Sequence, residues 1–121
     1  MVTLVIVAVL AAVAVPAYQA SVRKARRADA VDAAIALQQA QERYRSNNTS
    51  YATTLAAIGQ AATSAGSFYG LVLSAATAAG YTLTLTGVAG SSQASDSGCS
   101  TLTATVSNGS PTLTPAACWS R

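Results

Sequence analysis

From Met1 to Val15 the chain carries no charged side chain, and Thr3 is the only polar residue in that stretch. Such a segment has to be sheltered from water by lipid, by other chains or by the protein's own core. As a helix it spans about 22 Å at ~1.5 Å per residue, short of the ~30 Å hydrocarbon layer of a bilayer. Ala17 and Tyr18 lengthen it slightly. Three readings fit. A signal-peptide core matches the length, although no basic segment precedes it. A buried core helix matches as well. The third is a polymerisation helix, apolar all round because it is held first by membrane and then among copies of itself. In that reading Leu4, Val7, Leu10, Ala14, Pro16 and Tyr18 belong to the assembling surface.

Pro16 sits at the end of the run. Within a helix it removes an amide donor and crowds the carbonyl of Ala12, at a cost of ~3 kcal/mol, which predicts a kink or local melting over Ala12–Pro16. Tyr18 follows where an interfacial aromatic would lie, and Arg23, Lys24, Arg26 and Arg27 where headgroups would be. The positive-inside rule puts this basic cluster in the cytoplasm. Two cysteines further on favour an oxidising compartment. Both conditions hold only if a stronger basic segment precedes Met1.

The rest of the inventory excludes more than it indicates. With no His, four acidic residues in all and two Cys, local spacing assembles no general acid–base pair, metal cluster or activated nucleophile. No enzyme and no cofactor is implied. A net charge of +3 is too small to argue for nucleic acid by itself.

From Gln19 to about Ser46 no Pro or Gly intervenes, and Ala, Gln, Arg and Glu favour helix. Ala30, Val31, Ala34, Leu37, Gln38, Gln41 and Tyr44 form one stripe at three- and four-residue spacing. The other face carries Asp29, Asp32 and Glu42 against Arg26, Arg43 and Arg45, read as a solvated surface with weak pairs or as contacts between subunits. Asn47-Asn48-Thr49-Ser50 ends the helix. Tyr51–Gly66 reads as an irregular or short-helical connection anchored by Leu55 and Ile58. Four strands follow: Phe68–Ser74; Tyr81–Thr86 and Thr101–Val106, which alternate with period two; and Thr112–Thr114 after an Asn108-Gly109 hairpin turn. Pro111 and Pro115 suit an edge strand or a loop. The whole reads as α+β, a long helix kinked at Pro16 and laid on an antiparallel sheet of about four strands. Residues 1–27 form the apolar half of the helix. Residues 28–121 form a globular domain of helix 28–46, connection 47–66, sheet 67–114 and a loop 99–118 between the cysteines.

These residues resemble a known family. Met1 and Leu10-Ala11-Ala12-Val13-Ala14-Val15-Pro16-Ala17-Tyr18-Gln19, with Arg26–Ala30, are similar to the N-terminal segment of type IV pilins. Gln41-Glu42-Arg43-Tyr44, Asn47, Ser50 and Tyr51 resemble a segment of PilE-like pilins, and Cys99 with Cys118-Trp119 resembles their paired cysteines. The resemblance implies the pilin fold and a pilus subunit for adhesion, twitching motility or DNA uptake. It implies assembly as a homo-oligomer or with other pilins, from a pool in the inner membrane, through the pilus assembly machinery, into a surface filament. It implies a Cys99–Cys118 disulfide; a free thiol pair remains the other reading of those residues. Against the family's pattern a basic leader, its cleavage glycine, the N-methylated residue and an acidic residue in the apolar run are missing before or near Met1, so the expected start lies upstream. A competence minor pilin that binds DNA, with Arg43, Arg45 and Arg121 as inter-subunit or phosphate contacts, is the second reading. A type II secretion pseudopilin is the third.

Overall fold

A computed structural model describes residues 1–120; Arg121 lies outside the described residues. A single helix, α1 (Val2–Asn47), opens the chain and runs through Pro16 without interruption. Of the kink or local melting expected over Ala12–Pro16, the melting does not occur. One missing hydrogen bond is carried by the turns on either side, where Ala11, Ala12, Ala14 and Ala17 are strong helix formers. The helix ends where side chains take over its last carbonyls. Asn48 Nδ2 donates to the Tyr44 carbonyl at 2.8 Å, and Ser46 Oγ and Asn47 Nδ2 donate to that of Arg43 at 2.7 and 3.2 Å.

Four strands form one antiparallel sheet in the order β1 (Tyr69–Ser74), β2 (Gly80–Gly87), β3 (Thr101–Ser107) and β4 (Ser110–Thr114). Alternation along β2 buries Tyr81, Leu83 and Leu85, while the threonines between them lie on the other face. The register sets Leu85 beside Leu71 on one side and Leu102 on the other, and Leu83 beside Leu73 and Ala104. Onto this apolar face α1 lays Ala30, Ala34 and Leu37, all buried. The two alanines let the helix approach closely, and each leucine fully buried at the seam stabilises the fold by about 1.5–3 kcal/mol. Ala40 is buried as well, which the expected stripe did not include.

The turns follow from their residues. Asn108 and Gly109 both adopt positive φ, 51° and 81°, between the paired Ser107 and Ser110, as a two-residue primed turn requires. Pro111 lies in β4, at the edge of the sheet, opposite Val106. This register makes Pro111 a non-hydrogen-bonded position, so the amide it lacks would have faced outward. The opposite edge, along β1, is covered by the preceding connection: Leu71 N–H donates to Ala62 at 2.7 Å, and Ser64 N–H to Tyr69 at 2.9 Å. That connection contains a short 3-10 turn, Ala56–Ile58, with Leu55 and Ile58 packed against the core. Gly80 admits no side chain, since a Cβ there would meet the Val106 carbonyl oxygen at 1.8 Å.

Candidate functional site

The first half of α1 projects beyond the sheet. Every residue from Met1 to Ser21 is exposed, including Ala14 and Pro16, and Leu4 and Tyr18 expose 74% and 71% of their surface. The segment is long and apolar enough to cross a membrane, and none of it is covered by the rest of the chain. A core-helix role for these residues is thereby excluded, because the head closes its own core without them.

Where the apolar stretch ends, the basic cluster turns towards the protein's own head. Arg27 donates to both carboxylate oxygens of Asp96, from Nε at 2.7 Å and Nη2 at 2.8 Å. This pairing raises the Arg27 pKa further above its ordinary value, through the hydrogen bond first and despite partial desolvation. Arg26 donates from Nη1 to Ser92 Oγ and stacks over the Phe68 ring at 4.5 Å. Gln93, fully buried, donates to the Arg23 carbonyl at 3.2 Å and to the Tyr69 hydroxyl at 2.6 Å. Burial pushes the Tyr69 pKa up. Gly87 lets this turn close down, since a Cβ there would meet the Gln93 backbone at 2.5 Å. The cluster read as facing headgroups is therefore in part a fastener. Asp96 is the only acidic residue after Glu42, and the turn Ser92–Ser95 delivers it to Arg27.

The charges read as a solvated face also bind the chain's own loops. Asp29 accepts from Ser64 Oγ and from the Gly66 amide at 3.0 Å. Glu42 accepts from the Tyr51 hydroxyl at 3.0 Å. Arg45 donates to the Ala78 carbonyl at 3.3 Å and to that of Asn48 at 2.8 Å. Arg43 is exposed. Arg43 and Arg45 lie near the end of α1 away from the apolar run. Arg121 lies outside the described residues.

Cys99 and Cys118 form a disulfide, with Cα atoms 5.6 Å apart. It closes a loop around the β3–β4 hairpin, whose tip, Asn108–Gly109–Ser110, is exposed. Trp119 is half-buried against the core, and its Nε1 donates to the Thr114 carbonyl at 3.2 Å. The ion pair and the disulfide are linked through the backbone, because the Cys99 amide donates to the Asp96 carbonyl at 2.9 Å.

A buried polar clamp escaped the sequence reading. Gln41 donates to the Ala52 carbonyl at 3.1 Å and accepts from the Ala52 amide at 2.9 Å, fixing the connection to the helix. Its place in the apolar stripe was the available signal, since a buried glutamine has to be satisfied on both atoms.

No curated protein matches the chain. Residues 16–103, more than half of it, match the family described as the type IV minor pilin ComP, DNA uptake sequence receptor. The match begins at Pro16, takes in the fastened basic cluster and extends into β3. With its exposed apolar helix and four-stranded head, this chain belongs to the type IV minor pilin ComP family.

Proposed function

We propose that this protein is a minor subunit of a type IV pilus and takes part in DNA uptake at the cell surface. The observation that carries the reading is the division of α1: an exposed apolar half beside a half that completes the core of the head. Before assembly the apolar half sits in the inner membrane. In the filament it is buried among helices of other pilins, where close packing has to replace the equally apolar contact with lipid tails. Leu4, Val7, Leu10, Ala14 and Tyr18 supply that surface. Around Pro16 the Ala12 carbonyl lacks its helical donor, so this turn is the first to lengthen under tension.

The DNA reading rests on the family's description and on the basic residues distal to the membrane segment. Arg43 is free to meet phosphate, and Arg45 keeps guanidinium donors beyond those used on Ala78 and Asn48. These two make a small footprint, for which log Kd should change with log salt by about 0.9 per phosphate contact. Binding of duplex DNA to the full chain in detergent, measured from low to physiological salt, tests this. Arg43→Gln with Arg45→Gln should weaken it and flatten the salt dependence. Absent or salt-independent binding would leave a pilus subunit for adhesion or motility, which sheared surface filaments containing the chain would show.

A further inference from the structure

A cleft of about 270 Å³ opens where the apolar helix meets the Ser92 turn, lined by Tyr18, Gln19, Val22, Arg23, Arg26 and Ser92. We infer that this cleft holds the phosphate headgroup of an anionic phospholipid while the subunit waits in the membrane. The inference rests on the proposed membrane location of the first half of α1.

Position is the first argument. Arg23 lies five residues beyond Tyr18 on one continuous helix, about 7 Å along the axis. The polar layer on each side of a bilayer is about 5–8 Å deep. With Tyr18 at the boundary of the acyl chains, the Arg23 and Arg26 guanidinium groups therefore reach headgroup depth.

Chemistry is the second. Arg23 Nε is shielded from solvent and has no hydrogen-bond partner among the described residues. A donor left in that state is costly, so the site favours an acceptor that the chain itself does not provide. The salt bridge to Asp96 belongs to Arg27 and leaves Arg23 and Arg26 uncompensated by it. Arg26 is held in place by Ser92 and by the Phe68 ring, yet uses only Nη1 in doing so. Two guanidinium groups, one fixed and one with an unmet donor, match the oxygens of a phosphodiester. Free phosphate offers the same oxygens, but only a lipid brings acyl chains to the apolar surface that continues directly from the cleft.

The test uses the full chain in neutral phosphatidylcholine nanodiscs, with phosphatidylglycerol introduced as a competing lipid and retained lipid read by native mass spectrometry. The wild type should retain phosphatidylglycerol over phosphatidylcholine. Arg23→Gln, which removes a donor that has no partner among the described residues, should cut that preference roughly fivefold. Lys24→Gln removes the same charge from an exposed neighbour and should leave the preference in place. Equal losses in both variants would reduce the effect to general charge attraction and overturn the site. Displacement of the lipid by millimolar inorganic phosphate, or by duplex DNA in an Arg23-dependent way, would also overturn it. Entry into neutral discs without anionic preference would refute the headgroup site alone. Failure to enter the discs at all would refute the membrane reading and the site with it.

Discussion

Arg27 and Asp96 meet side-on, two parallel N–H···O bonds of 2.7 and 2.8 Å joining the middle of α1 to the link between β2 and β3. The two side chains expose only 19% and 5% of their surface. The contact closes a mechanical circuit: helix to ion pair, ion pair through the Asp96 carbonyl to Cys99, and Cys99 through the disulfide to the C-terminal turn.

Removing one member of this pair should cost more than removing both. Asp96→Ala leaves a half-buried guanidinium without its acceptors and is expected to destabilise by about 2–4 kcal/mol. The double substitution Arg27→Met with Asp96→Leu should recover much of that loss. Denaturant unfolding in detergent, run as a double-mutant cycle, measures the coupling; strict additivity would show that the pair is not coupled.

Gln41→Leu should destabilise by about 2–4 kcal/mol despite adding apolar volume to an apolar stripe, because the Ala52 amide and carbonyl both lose their partner. Hydrogen exchange at Ala52 should rise with it. Wild-type stability in this variant would mean that Ala52 finds water instead.

Reduction of Cys99–Cys118, or Cys99→Ser, is expected to lower stability by ~3 kcal/mol for a loop of this size. At about 4–8 °C per kcal/mol the shift in Tm is easily seen by circular dichroism with and without reductant. Identical melting in both conditions would refute a stabilising bridge.

Tyr51, Tyr69 and Tyr81 all have pKa values raised by burial above the ordinary tyrosine value of 10.0. Above about pH 10 the unfolded chain therefore gives up protons that the folded chain keeps, and stability falls with rising pH. It is fully present below that point and lost as pH climbs towards the folded-state values. Tyr81 Oη is buried with no partner among the described residues. Tyr81→Phe should accordingly be neutral or stabilising at pH 7 and should delay alkaline unfolding, followed by tyrosinate absorbance against circular dichroism. A large loss of stability at pH 7 would show that the hydroxyl is satisfied.

The sheet was legible because its signals are local. Thr-Leu alternation from Tyr81 to Thr86 and from Thr101 to Val106 marks a strand with one wet face, and Asn108-Gly109 permits only a narrow set of turns. Observed strand ends differ from the expected ones by a residue or two, as at Ser110, where pairing resumes directly after the turn despite Pro111. The fastening of the head was not legible. Asp29, Glu42 and Arg45 bond groups 37, 9 and 33 residues away, which no helical periodicity encodes. Gln93 was equally hidden, being one polar residue among many in a serine-rich loop. At Pro16 the alanine-rich turns keep the helix continuous, so the melting alternative is the part that failed.

The two borders of the sheet are each partly blocked to further pairing. Along one, residues Ala62–Ser64 already occupy the backbone of β1. Along the other, a proline interrupts the row of outward amides on β4. A strand from a neighbouring molecule therefore finds only an interrupted template on either edge of the head.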